Sequence, residues 1–319
     1  MTPILTVVGA TGVQGGSVID SALKVGGYKV RAITRNAGSE KAKALATRGV
    51  EVVTADLNDL ASLVKAFQGS TAIFAVTDFF EPFASSGPEK AVETETAQGV
   101  NLAKAASQIP TLQHYIWSTL PNAKRISDGK WSVPHFDAKN VVDDYIKGDL
   151  GLFAKTTFLW VTFYASNYQF PMFTPNFVKS SGKHVQLQPT PASVPVLAMG
   201  DARVNVGIFV TSILAQPSLT HGKFVAAYVE KTTIGGLLET WGKAVGKPVV
   251  YVQTVSLDAF NEVWPMWGHE MGVMMNFWED ERENSWSGEV LLTKEDLGIK
   301  SGLVGVEQGF KNVDWSAVL

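Results

Sequence analysis

The stretch VVGATGVQGG, residues 7–16, decides how the rest of the chain is read. Gly9, Gly12 and Gly15 stand three residues apart, directly after a β-branched run and directly before a helical pattern. Gly9 suits a tight turn, Gly12 the close approach of main chain to a pyrophosphate, and Gly15 the close packing of helix on strand. A helix that starts there offers unpaired N–H groups and partial positive charge to an anion. Thr11 and Gln14 lie in the same turn and belong to the same expected nucleotide site. A plain structural turn would use glycine too, but the strand–turn–helix context is the one a dinucleotide needs.

Outward from that turn, short β-branched runs alternate with longer helical patterns, the rhythm of parallel strands joined by crossover helices. Strands are expected at 5–8, 29–34, 50–54, 72–76, 114–118 and 157–162. Helices are expected to begin near Gln14, Glu40, Leu60, Pro88 and Pro134. The expected fold class is α/β, a Rossmann-type doubly wound parallel sheet over residues 1–165. A smaller, irregular α+β substrate or partner region follows over 166–319. That boundary is soft, because later strands could return to the main sheet. The proline-punctuated stretch 169–195 marks the change. Helical patterns then fit 201–215, 232–245 and 256–264, with strands at 222–229 and 248–253.

The totals narrow the function classes. The chain has 319 residues and a net charge of −3. Its charges are mixed along the sequence, which gives no basic footprint for nucleic acid. Cysteine is absent, so there is no disulfide, thiolate nucleophile or soft metal site. The apolar run 4–8 is far too short for a signal-peptide core, and no later run reaches ~20 apolar residues. A soluble, cytoplasmic protein with no membrane partner is expected.

The second strand addresses cofactor choice. NAD-preferring sites usually carry an acid about 20 residues beyond the glycines, on the ribose hydroxyls. Here AITRNAGSEK, residues 32–41, puts Arg35 at the strand end and no acid before Glu40. A guanidinium there can fork onto a 2′-phosphate, so NADP(H) is expected over NAD(H). Asp56, in TADLNDL, could bond the adenine amino group or cap the next helix.

The motifs GATGVQGG, RAITRN, QHYIWST and HFDAKNVVDDYI together resemble the NmrA-like branch of the atypical short-chain dehydrogenases, and more distantly the isoflavone reductases. The resemblance covers most of the first 170 residues. It implies an NADP(H)-binding protein that is either a reductase or a redox sensor regulating a protein partner, and it allows a homodimer. Typical short-chain dehydrogenases use a serine after the fifth strand and a Tyr-x-x-x-Lys on the next helix. Ser118, with Thr119 as the alternative, matches the serine and Lys139 the lysine, whereas His135 stands where the tyrosine would be.

The helical pattern of residues 132–148 singles out Lys139 independently. Ser132 is a plausible cap, and Pro134 fits the first turn. His135, Lys139, Val142 and Ile146 share one stripe, and Asn140, Asp143, Asp144 and Lys147 fall on the expected opposite side. Lys139 is then either snorkelling or placed for a task. The task would be to bond nicotinamide ribose hydroxyls and to stabilise charge developing on a reduced carbonyl, imine or alkene. The proton could come from His135, from water held by Lys139, or from Tyr164 or Tyr168 in FYASNYQF. His135 could equally be a pocket wall. Phe79, Phe80 and Phe83 could line a substrate site or cover the sheet. Met266, Met271, Met274, Met275 and the late tryptophans could be core, lid or partner face. His269 and Glu270 have no matching ligands nearby, so no metal is inferred.

Overall fold

The computed structural model describes residues 2–319. Six parallel strands build its centre: Ile4–Val7 (β1), Lys29–Thr34 (β2), Glu51–Thr54 (β3), Ala72–Ala75 (β4), His114–Thr119 (β5) and Thr156–Val161 (β6). Their spatial order is β3-β2-β1-β4-β5-β6, so the winding reverses between β1 and β4. Helices Val13–Val25 (α1), Glu40–Thr47 (α2), Leu60–Phe67 (α3), Phe80–Ser107 (α4), Ala123–Ile126 (α5) and Pro134–Gly148 (α6) come from the connections. In a doubly wound sheet, ligands collect at such a switch point, beyond the carboxyl ends of the strands.

The central strands read as they do because both faces are covered. Every residue of β5 and of β6 is buried, the pattern of strands with helices on both sides. Successive side chains point to opposite faces. Tyr115, Trp117, Phe158 and Trp160 enter one apolar cluster, and Ile116, Leu159 and Val161 enter the other.

The second region does not stand apart from the first. Strand Lys223–Ala227 pairs in parallel with β6, and Leu291–Leu292 pairs in parallel with Lys223–Ala227. The sheet therefore has eight strands. Helix Ala202–Leu214 covers the face on which α1 lies, and the Gly207 amide donates to Ser17 Oγ at 2.8 Å. The proline-punctuated stretch contains a hairpin of Asn176–Val178 and Lys183–Gln188, which pairs with Val249–Gln253. It escapes a hydrophobic pattern search because Gln186 and Gln188 point inward, their amides donating to the carbonyls of Phe173 and Met172. No helix of the described residues is long and apolar enough to cross a membrane.

One helix start differs from expectation, and one helix lies where none had been expected. α4 begins at Phe80, with a break at Gly87 (φ 81°) ahead of Pro88. Gly-Pro here kinks a helix instead of starting one. Helix Trp267–Glu281 occupies the Met- and Trp-rich segment and lies over the carboxyl end of the sheet.

The contact of α1 with Ala202–Leu214 allows no side chain at Gly207, where a Cβ would overlap the Ser17 carbonyl. Gly207→Leu is expected to cost at least about 3 kcal/mol, the upper end for overpacking, as a lower urea midpoint. An unchanged midpoint would contradict this docking.

Candidate active site

A cavity of about 1020 Å³ follows the carboxyl ends of β1–β6. One end is bordered by the glycine turn, Arg35 and Asp56, the middle by Thr77, Ser118, His135 and Lys139, and the far end by aromatic and methionine side chains.

The glycine turn takes the shape its sequence demands. Gly9 has φ +66°, a conformation that L side chains rarely adopt. A Cβ at Gly15 would overlap the Gly9 carbonyl, so α1 approaches the turn as closely as backbone allows. No side chain caps α1, and no acid lies in its first turn. Its leading amides have no intrahelical acceptor and face the cavity with the positive end of the helix dipole.

Arg35 and Asp56 both border that end of the cavity. The Arg35 guanidinium is paired with Glu81 at 2.7 Å, both side chains being exposed. Glu81, with Asp56 and Asp78 beyond it, favours the charged form of Arg35. α3 is capped by Asp59 and not by Asp56, whose Oδ1 instead accepts from Asn58 N and Nδ2, each at 2.9 Å. Of the two readings open for Asp56, the cap is therefore filled by another residue.

Ser118 and Tyr164 are joined through Gln14. Ser118 Oγ donates to Gln14 Oε1 at 2.7 Å, and Gln14 Nε2 donates to Tyr164 OH at 2.7 Å. The end of β5, the start of α1 and the segment after β6 are thus tied across the cavity floor. Burial pushes the Tyr164 phenol well above its ordinary range, against the Gln14 bond, which makes it a poor acid at neutral pH. Tyr168 does not border the cavity. It is buried against Phe163 and Phe310, which corrects its expected place in the pocket.

Lys139 is buried and carries a partner that the sequence did not reveal. Its Nζ donates to Glu95 Oε1 at 2.6 Å, to Thr77 Oγ1 at 3.0 Å and to the Thr77 carbonyl at 3.3 Å. Glu95 is fully buried on α4, and its Oε2 has no partner. A buried pair with an orphan oxygen adds little stability over apolar packing; its effect is to hold Lys139 in place. His135 is held in the same way. Its Nδ1 lies 2.6 Å from Glu270 Oε1, which also accepts from the His135 amide at 3.1 Å. Glu270 comes from helix Trp267–Glu281. The signal for both acids was present: each interrupts an apolar stripe, Glu95 between Ala91 and Leu102, and Glu270 between Trp267 and Met274.

Other expectations on α6 are corrected. Ser132 does not cap the helix; its hydroxyl bonds Asp137, and the His135 amide goes to Glu270. Asn140 and Asp143 are buried, whereas Val141 is half exposed. The polar pair turns inward because partners wait there. Asn140 Nδ2 donates to the Leu120 carbonyl, and Asp143 accepts from Trp117 Nε1 at 2.8 Å and Thr119 Oγ1 at 3.0 Å. Phe79 and Phe80 border the cavity, and Phe83 packs behind them against Trp267. Met271 and Met274 border it too, as do Trp267, Trp278 and Trp286; Met275 is core and Met266 is exposed at the surface.

Burial pushes the Asp143 carboxyl up to about 7, against its bonds from Thr119 and Trp117. An acid whose folded pKa is raised binds its proton more tightly in the native state. Stability should therefore fall as pH rises from about 4 to about 7, with a slope of about 1.4 kcal/mol for each step of one in pH. Asp143→Asn keeps the Trp117 bond on its oxygen and the Thr119 bond with donor and acceptor exchanged, and it removes that slope. Its advantage over wild type in urea unfolding is expected to grow between pH 5 and pH 8, and a variant less stable at pH 8 would contradict the raised value.

Comparison with known proteins places this arrangement. The family model described as the NmrA-like family matches residues 1–300. The NmrA-like family domain-containing oxidoreductase cpsB of Aspergillus campestris is 29% identical over 270 residues, covering 81% of this chain and 77% of its own length. A relative of the same description in Aspergillus hancockii is 32% identical, but over only 55% of this chain and 51% of its own length. Among solved structures, NmrA, a negative transcriptional regulator, in complex with NADP aligns over 98% of this chain and 96% of its own at 22% identity, with a TM-score of 0.76. The Citrobacter triphenylmethane reductase complexed with NADP(H) aligns over 96% and 99% at 22% identity, with a TM-score of 0.68. Over residues 1–300, glycine turn and cavity included, this chain belongs to the NmrA-like family.

Proposed function

We propose that this protein is an NADP(H)-dependent reductase acting on a medium-sized, largely apolar or aromatic molecule through a C=O, C=N or activated C=C bond. The observation that carries this reading is the reach of the cavity. It continues past Lys139 and His135 to a wall of Trp267, Trp278, Trp286, Met271 and Met274. At about 1020 Å³ it lies at the top of the roughly 300–1,000 Å³ range of small-molecule sites. Adaptable thioethers and flat indoles suit an aromatic guest. The description of curated relatives such as cpsB as oxidoreductases supports the same class.

The glycine turn fits a diphosphate: it offers uncapped amides, no repelling acid in the first turn of α1, and a close approach of α1 to the turn at Gly15, where a Cβ would overlap the Gly9 carbonyl. Gly9, Thr11, Gly12, Gln14 and Gly15 would hold the pyrophosphate, and Asp56 the adenine end. Arg35 would take the 2′-phosphate by exchanging Glu81. An exposed ion pair is worth only roughly 0.2–1 kcal/mol, so that exchange is cheap. A nicotinamide dinucleotide, when bound, supplies the hydride. Lys139 keeps a buried positive charge beside the reacting centre, and its Thr77 carbonyl bond, the longest of the three, is the one a ribose hydroxyl would replace. Ser118 orients Gln14 from below, while the aromatic wall excludes water.

One observation favours the sensor reading instead: Glu95 neutralises Lys139, and all three ammonium hydrogens have protein partners. In a sensor, no carbonyl compound would consume NADPH, and cofactor redox state would change oligomeric state or affinity for a protein partner.

Lys139→Ala alone would strand Glu95 and destabilise the fold by about 3–5 kcal/mol. The pair Lys139→Met with Glu95→Gln avoids that. This double variant is expected to bind NADPH within several-fold of wild type yet lose roughly 100-fold or more in kcat/KM with an aromatic carbonyl substrate, followed as loss of NADPH absorbance. Undiminished turnover would remove Lys139 from the mechanism. Arg35→Ala should weaken NADPH about 10- to 100-fold by calorimetry and leave NADH unchanged; equal losses would remove the 2′-phosphate role.

A further inference from the structure

We infer that Glu270 is a positioning residue that makes His135 the proton donor of the reductase, the two acting as a dyad assembled from opposite halves of the chain. This rests on the reductase reading above. Glu270 is 1% exposed and meets the His135 ring and the His135 amide through the same oxygen. Around the ring stand Phe79, Phe80 and Phe136, with centroids 5.9, 5.4 and 4.8 Å away. None of these can accept a proton or set a tautomer, so Glu270 alone fixes which nitrogen is committed. An ionised carboxylate on Nδ1 keeps a proton there, the same second-layer logic that orients metal-bound and catalytic histidines.

The consequence lies at the other nitrogen. Nε2 has no partner among the described residues, is not among the buried unpaired atoms, and belongs to a residue bordering the cavity. A proton on Nε2 makes the ring an imidazolium, and the dyad is then neutral overall, as is the Lys139–Glu95 pair one helical turn away. As hydride reaches the electrophilic carbon, the π pair moves to the adjoining oxygen, nitrogen or carbon. The Nε2 proton goes to that atom. The ring remains neutral with Nδ1–H on Glu270, and water returns a proton to Nε2. This uses one hydride and one proton per turnover, with dinucleotide as the only reductant.

The plainer role for Glu270 is a cap on α6, which has none of its own. Glu270→Gln separates the two roles, because a glutamine oxygen still accepts from the His135 amide but no longer carries charge. Histidine ¹⁵N spectra of the apo protein, with His135 assigned by its loss in His135→Gln, are expected to show a protonated Nδ1 in wild type and a changed tautomer or charge state in Glu270→Gln. In turnover, Glu270→Gln, His135→Gln and the double variant should each lose roughly 100-fold in kcat, with the losses non-additive and NADPH affinity unchanged. An identical His135 spectrum in Glu270→Gln, or losses that multiply, would overturn the dyad while leaving the reductase reading intact. If Glu270→Gln does not fold, His135→Gln decides alone: kcat within a few-fold of wild type overturns the donor role. Absence of turnover by wild type on any carbonyl, imine or alkene would overturn the reductase reading and the donor with it.

Discussion

Amide N–H groups at the start of a helix have no acceptor within the helix, and in most proteins a serine, threonine or aspartate side chain turns back to supply one. At α1 the chain supplies nothing: Gly12 stands at the cap position, and the first turn holds no acid. By contrast α2 and α3, on the same sheet, are capped by Ser39 and Asp59. The sequence that leaves α1 open also brings it close to the turn, through Gly9 and Gly15. An anion of diphosphate size would satisfy that open end, and the other residues that border the cavity follow from it along the carboxyl ends of the strands.

From this point the site is a matter of charge placed where water is scarce. Lys139 and His135 sit four residues apart on α6, and each is held by a buried acid from a different element. The acids keep the cleft close to neutral. That would suit the proposed apolar substrate, which a bare cation would not hold, and it keeps each side chain in one geometry. Behind them, Trp117 and Asp143 fill the space between β5 and α6. The lysine ammonium lies 5.7 Å from the Trp117 ring centroid and is supported from below.

Much of this was legible in the residues. The six parallel strands fall where β-branched runs predict them, most plainly β4, β5 and β6, which are buried on both faces and have no polar alternation to blur them. The glycine turn was legible because its requirements are steric and local. Lys139 and His135 were found for the same reason, as polar residues on an apolar stripe. Their acids were not, since Glu95 and Glu270 lie 44 and 135 residues from their partners and nothing local says which charge an isolated buried acid will meet. The inward face of Asn140 and Asp143 escaped because their partners, Leu120, Trp117 and Thr119, belong to β5 and the loop after it. Likewise Gln186 and Gln188 invert the usual strand pattern only because two backbone carbonyls need donors.

The first turn of α1 is proposed to grip a dinucleotide pyrophosphate through main-chain amides. Calorimetric titration of NADPH into wild type and into Gly15→Val tests it most directly, since the added side chain overlaps the Gly9 carbonyl and the Ala10 Cα and so displaces the turn from the start of α1. The account predicts saturable one-to-one binding to wild type and its loss in a variant that remains folded by circular dichroism. Absence of heat with wild type, or equal binding by both proteins, would contradict it.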